Sequence, residues 1–340
     1  MTRTCHIHIG LHKTGSTTIQ KMLAAESARL SSSGFYIPRT GMNESRVAHH
    51  LIAMEANGEA AGRPSQFETL ASELDAAHWP ENVILTSEGF SARMHEPEVL
   101  SRLRTEIERM GYRPRVIVFV RPQEGAIHSF YTQKLKMWTY KGTFDRYWSR
   151  ALAKPGWDYE QRFAALFDSG ITFRVLPFSR KLIAQGLCRQ FLLAAGLPEK
   201  ALDGLVEPTP SNVSPGPRAI AAIRAVNQEL ERRGVRANRW RTEKAATIVR
   251  RTHDLIGHDD GRFNALTEDV ATIIRTQFRE SNERFSGKAF GRPWAEVFTD
   301  EMTRIPVTNT FDPDEASPDE RQEFDAFVHE MADAICEFLD

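Results

Sequence analysis

Residues 7–20 read Ile-His-Ile-Gly-Leu-His-Lys-Thr-Gly-Ser-Thr-Thr-Ile-Gln, a short apolar strand that runs into Gly10, Lys13, Gly15 and a cluster of hydroxyls. A strand that turns on glycine straight into a helix is a building block of α/β proteins with a parallel sheet. The same residues have the chemistry of a phosphate cradle. Glycines let backbone N–H groups approach an anion, the helix offers its positive N-terminal end, and Lys13 adds a mobile charge. The usual nucleotide-hydrolase loop, GxxxxGK[ST], places its lysine after the second glycine. Here Lys13 comes two residues before Gly15, and Ser16, Thr17 and Thr18 follow it. An ordinary strand-to-helix turn is the plainer alternative.

Two further strand ends carry chemistry. Val116–Val120 is an unbroken β-branched and aromatic run, the pattern of a parallel strand buried on both faces. Arg121 stands at its C-terminal end, Pro122 suits the start of a helix, and Ser129 lies about two helical turns further on. A guanidinium fork and a hydroxyl so placed can converge on one phosphate. The alternative has Arg121 capping the sheet edge and Ser129 serving as a small packing residue. Between these motifs, Asn82-Val83-Ile84-Leu85-Thr86-Ser87-Glu88 is a buried strand that ends in a carboxylate. Open α/β sheets collect ligands outside the carboxyl ends of their strands, so loops after Ile9, Ser87 and Val120 are expected to share one crevice. Glu88 there can accept a proton from a hydroxyl, or else cap the next helix or pair with Arg93 or Arg121.

In this order the motifs resemble those of sulfotransferases that use 3′-phosphoadenylyl sulfate (PAPS). The loop from His12 to Thr18 is similar to the family's 5′-phosphosulfate loop, and Arg121 with Ser129 to its 3′-phosphate site. The resemblance covers about residues 5–290 in ordered pieces, including Arg279-Glu280-Ser281-Asn282-Glu283-Arg284-Phe285, and is closest to bacterial, carbohydrate-type members. It implies transfer of a sulfuryl group from PAPS to an acceptor hydroxyl, leaving 3′-phosphoadenosine 5′-phosphate (PAP). It also implies binding by His12, Lys13, Thr14, Gly15, Ser16, Thr17, Thr18, Arg121 and Ser129. Lys13 would stabilise the departing phosphate, Glu88 would act as general base, and no metal would be needed. The implied acceptor is a sugar hydroxyl of a polysaccharide or glycolipid, with small alcohols or phenols as alternatives. A P-loop small-molecule kinase is a rival, but it calls for GK[ST] and a magnesium-holding Asp at a strand end, where this chain has Glu88 and Arg121. A catalytically silent nucleotide-binding protein is the other rival, favoured if Glu88 turns away from the loop.

Strand and helix patterns alternate along the first 202 residues, which predicts a P-loop-type three-layer α/β/α fold around a central parallel sheet, followed by a C-terminal helical region. Strands are expected at 3–9, 82–87, 115–120 and 171–176, with a short extended piece at 35–38. Single helices are expected over about 15–31, 96–110, 122–138 and 179–195, then 216–233, 242–257 and 267–284. The expected organisation is a PAPS-binding core at 1–202, a Pro-rich linker or site loop at 203–218, a helical part of the same domain at 219–299, and an acidic tail at 300–340. Asn212 and Ser214 in the Pro-rich loop are candidates for ligand contact, with Asx- and Ser-turn roles as the alternative.

Charge is unevenly shared. Residues 300–340 hold thirteen acidic residues and two arginines, so a chain of net charge −1 carries +10 elsewhere. A basic body suits an anionic cosubstrate. It does not read as nucleic-acid binding, because the basic residues are dispersed and no such motif occurs. Phe324, Phe327, Val328, Met331, Ile335, Phe338 and Leu339 fall at helical spacing. That face predicts packing onto the protein, or else a partner or homodimer surface. No apolar run is long enough to span a membrane, and no export signal is evident. Cys5, Cys188 and Cys336 are few and widely spaced, which fits a reducing cytoplasm and gives no disulfide or zinc pattern. The remaining histidines, His128 among them, show no metal-ligand spacing.

Overall fold

Three of the apolar runs become neighbouring strands of one sheet. The computed structural model describes residues 3–11, 13–42, 47–137, 139–208, 215–235, 261–304 and 306–339, with side chains through residue 337. The expected helix near 242–257, together with Asn212 and Ser214, lies outside the described residues. The strands are β1 (Arg3–Ile9), β2 (Phe35–Tyr36), β3 (Asn82–Ser87), β4 (Tyr112–Val120) and β5 (Thr172–Pro177). All pairings are parallel, in the order β2-β3-β1-β4-β5. β1 therefore lies between the strands that end at Glu88 and Arg121. The strand order reverses on either side of it, which is where open parallel sheets form their crevice.

The chain groups into two compact units. The first comprises Met1–Pro122, Pro155–Pro210 and Phe278–Arg304 and contains the whole sheet. One sheet face, with Cys5, Ile7, Ile9, Leu85, Val116 and Val118, packs on α3 (His50–Ala56), α4 (Gln66–Ala76), α5 (Pro97–Arg109) and α8 (Tyr159–Asp168). The other face, with Ile84, Ile117 and Phe119, packs on α1 (Ser16–Ala25) and α10 (Leu187–Ala195). That gives three layers, as the alternation of strand and helix patterns requires. Phe285, Trp294 and Phe298 close the first face against Tyr159 and Phe163, with ring centroids 4.4–6.3 Å apart.

The helix expected over 267–284 runs from Glu268 to Phe290, and three further element boundaries differ from expectation for visible reasons. β4 begins at Tyr112 and includes Pro114. β5 pairs with β4 only from Arg115 onward, so Pro114 sits where one side of β4 is still unpaired and its missing N–H breaks no bond to β5. The helix expected over 15–31 is two, α1 and α2 (Ser27–Ser32), and Arg29 of the second bonds the carbonyls of Ala201 and Asp203 at 2.7 and 2.6 Å. The helix expected over 179–195 is also two, α9 (Arg180–Ala184) and α10, separated by Gly186 at φ 90°. Glu207 then caps α10 by accepting from the amides of Cys188 and Arg189 at 3.2 and 3.0 Å.

The second unit comprises Gln123–Lys154, Ser211–Gln277 and Ile305–Asp340. It holds α6 (Gln123–Lys136), α7 (Phe144–Leu152), α11 (Pro217–Arg232) and the C-terminal helix Pro318–Leu339. Val328, Met331, Ala332 and Ile335 of that last helix pack against Val226 and Leu230 of α11. Ion pairs Arg218–Glu320 and Arg233–Asp333 at the two ends show that the pair runs parallel. Among the described residues, no helix is long and apolar enough to cross a membrane, and all three cysteines are free thiols.

Candidate active site

The loop after β1 is shaped by two glycines. A Cβ on Gly10 would come within 2.5 Å of Ser16 Oγ and 2.9 Å of Glu88 Cγ, so a larger residue would have to displace those side chains. Gly15 has φ 80°, and a Cβ on it would lie 2.3 Å from Leu187 Cδ2 and 3.2 Å from Phe178 Cε2. Between them Lys13 also has a positive φ, 65°. That left-handed conformation costs a side-chain-bearing residue about 1–2 kcal/mol and is the sort of strain that accumulates at functional sites. The loop is pinned from inside. The hydroxyls of Thr14 and Ser16 both donate to the Leu11 carbonyl, at 2.8 and 3.3 Å, and both residues are buried. Gly15 is the N-cap of α1, and having no side chain it cannot itself accept from the first-turn amides. The positive end of α1 thus starts at the loop.

Glu88 and Arg121 flank this loop. The Glu88 side chain lies beside Gly10, its Cγ 2.9 Å from where a Cβ there would sit. The turn after it is closed by Ser91, whose amide and hydroxyl both donate to the Glu88 carbonyl, at 3.0 and 2.8 Å. Arg121 Nη1 donates to the Lys13 carbonyl at 3.2 Å, and its guanidinium lies 5.7 Å from the centre of the Phe178 ring. Tyr159 Oη holds the Arg121 carbonyl at 2.8 Å. Lys13, Glu88 and Arg121 therefore gather at the carboxyl edge of three adjacent strands.

The other candidate residues are placed as follows. Thr17 is exposed and Thr18 half-buried on the first turn of α1. His12 lies outside the described residues. Ser129 is half-buried on α6, in the second unit. His128 beside it accepts from the Ala265 amide at 3.1 Å and stacks on Phe263 at 5.4 Å, a packing role. Three residues at the site went unnoticed in the sequence: Phe178, Tyr159 and Arg162. Phe178 had one cue, an aromatic directly after a strand. Tyr159 and Arg162 act through main-chain carbonyls, which leave no pattern in a sequence.

The residues present offer the chemistry that a phosphate group needs. Backbone N–H groups at the start of α1 are the donors such a group uses, and Lys13 supplies charge. Among the described residues, no three His, Cys, Asp or Glu side chains gather as a metal site.

No protein-family model matches the chain, and no curated protein matches it. Among solved structures, it is similar to a sulfotransferase from Alicyclobacillus acidocaldarius, with a TM-score of 0.38 and 12% identity over 69% of this chain and 96% of that one. So distant a likeness carries no functional inference.

Proposed function

We propose that this chain is a sulfotransferase that moves a sulfuryl group from PAPS to an acceptor hydroxyl, on a carbohydrate or glycolipid in the first instance. The observation that carries the reading is the grouping of Lys13, Glu88 and Arg121 around one glycine-shaped loop at a sheet edge. PAPS, when bound, supplies the sulfuryl group on a phosphate leaving group. Lys13 and the first-turn amides of α1 hold that phosphate and stabilise the charge that grows on it, each well-placed donor contributing about 3 kcal/mol. Glu88 takes the proton from the acceptor hydroxyl, worth about 10²–10⁴-fold in rate. Arg121 binds the 3′-phosphate of the nucleotide. Ser129 keeps, for the same phosphate, only the argument of its spacing in the sequence. Thr14 and Ser16 serve by fixing the loop through Leu11, and Thr17 and Thr18 offer hydroxyls from the first turn of α1. The Glu88 side chain lies beside Gly10 of the loop, which weighs against a catalytically silent protein.

The test is ligand selectivity followed by chemistry. PAP should raise the melting temperature well above any effect of ATP with Mg²⁺. PAPS mixed with a panel of saccharides, alcohols and phenols should give a product heavier by one sulfuryl group in mass spectrometry. Stabilisation by ATP–Mg²⁺ and not by PAP would replace this reading with the kinase one.

A further inference from the structure

The first turn of α8 joins the two halves of the candidate site. Tyr159 and Arg162 are one helical turn apart, so their side chains leave the same face of α8. Tyr159 Oη donates to the Arg121 carbonyl at 2.8 Å. Arg162 Nη2 donates to the Ser91 carbonyl at 3.1 Å, and Nη1 donates to the Gly156 carbonyl at 2.8 Å in the turn before α8. Ser91 in turn donates twice to the Glu88 carbonyl, and Arg121 donates to the Lys13 carbonyl. Two sets of hydrogen bonds, Lys13–Arg121–Tyr159 and Glu88–Ser91–Arg162, are therefore joined by the backbone of the first turn of α8, all within the first unit.

Arg162 is an expensive residue to use for packing. Burial depresses its guanidinium below the usual arginine range, and its side-chain hydrogen bonds go to backbone carbonyls, not to a carboxylate. Desolvating a charge costs several kcal/mol, and an apolar side chain would fill the space without that penalty. What an arginine supplies that an apolar residue does not is a rigid fork that holds two carbonyls at fixed positions.

We infer that Tyr159 and Arg162 are positioning residues that fix the donor-binding side (Arg121 and Lys13) and the proton-accepting side (Glu88) of the site relative to one another. The inference rests on the proposed PAPS reading and adds to it a division of labour. Tyr159 sets the end of β4, hence the aim of Arg121 and the nucleotide affinity. Arg162 sets the Glu88–Ser91 turn, hence the reacting carboxylate and the rate.

The experiment measures PAP affinity by calorimetry and conversion of PAPS to PAP in water, which needs no knowledge of the acceptor. Tyr159→Phe should weaken PAP binding about fivefold to tenfold, the effect of one lost hydrogen bond, with turnover at saturating PAPS within twofold of native. Arg162→Met should lower turnover at least tenfold with PAP affinity within twofold, and Arg162→Lys should recover part of the loss. Should Arg162→Met fail to fold, Ser91→Ala removes only the last hydroxyl link to Glu88 and should lower turnover in the same selective way. If the variants lower the melting temperature but leave both parameters alone, or move both together, the positioning role is wrong while the PAPS reading stands. If the native protein binds no PAP, the PAPS reading fails and takes this inference with it.

Discussion

Lys13 is held in a conformation that glycine adopts freely and lysine does not. Lys13→Gly therefore relieves strain in the folded loop while adding freedom to the unfolded chain, two effects of about 1 kcal/mol that oppose each other. Its melting temperature should stay within a few degrees of native while PAPS turnover falls about 10²–10³-fold. A variant that melts far below native would mean that the lysine is there for the fold. Gly10 makes the opposite prediction. An added methyl meets Ser16 Oγ and Glu88 Cγ inside normal contact, so Gly10→Ala should disturb both and cost stability as well as turnover. For Arg121, the decisive comparison is between nucleotides. Arg121→Ala should weaken PAP far more than adenosine 5′-phosphate, because a charged hydrogen bond contributes about 1.5–3 kcal/mol and only PAP carries the 3′-phosphate. Equal losses in titrations with the two nucleotides would leave Arg121 a purely structural role.

At the scale of elements, β1 carries a second consequence of its burial. His6 and His8 face the layer of α1 and α10, where His8 touches the Phe119 and Phe191 rings and bonds Thr86 Oγ1 at 2.9 Å. Its Nε2, like Nδ1 of His6, has no hydrogen-bond partner. Desolvation lowers His6 to about 4 and His8 to about 3, from 6.5. The folded chain thus refuses protons that the unfolded chain accepts. Stability is full above about pH 6.5 and declines as the pH falls toward 4, each histidine adding a slope of up to about 1.4 kcal/mol per pH unit. His8→Leu should be less steeply acid-sensitive than native in urea unfolding between pH 7 and 5. An unchanged slope would mean that His8 takes up its proton without unfolding. Much of this element scale was legible in the sequence. β1 and β3 match the expected strands, whose apolar residues mark strands buried in a parallel sheet, and Lys13, Glu88 and Arg121, read as candidates because each follows a strand, lie beyond the ends of β1, β3 and β4. What was missed follows a common cause. The start of β4 beyond Pro114, the break at Gly186 and the hydrogen bonds of Tyr159 and Arg162 depend on which carbonyl or strand lies opposite. That is tertiary information, and residue types alone do not carry it.

At the scale of the whole molecule, the charge is arranged so that the chain's net value conceals a basic majority. Residues 300–340 carry −11 of a total of −1. Where the C-terminal helix Pro318–Leu339 meets α11, the attraction is mainly apolar. Arg233–Asp333 is a surface pair, of a kind worth about 1 kcal/mol or less, whereas Ile335 is fully buried. Ile335→Ala should therefore cost about 2–5 kcal/mol in denaturant unfolding and Asp333→Ala less than about 1. Comparable losses would make the ion pairs, not the apolar seam, what holds the helix.

The basic remainder of the chain makes a prediction of its own. PAP is a multiply charged anion, and long-range attraction to a basic protein is screened once the Debye length drops from about 10 Å at 0.1 M salt toward about 3 Å at 1 M. Short-range bonds from loop amides to a phosphate persist under the same conditions. The PAP dissociation constant should therefore rise roughly tenfold between 0.05 and 0.5 M NaCl and then level off, as the diffuse attraction is lost and the local cradle remains. Arg121→Ala should bind more weakly at every salt concentration and show a shallower dependence, since one of the screened charges is gone. An affinity independent of salt in the native protein would show that charge does not draw the nucleotide in. A slope as steep in Arg121→Ala as in the native protein would place the attracting charge somewhere other than the end of β4.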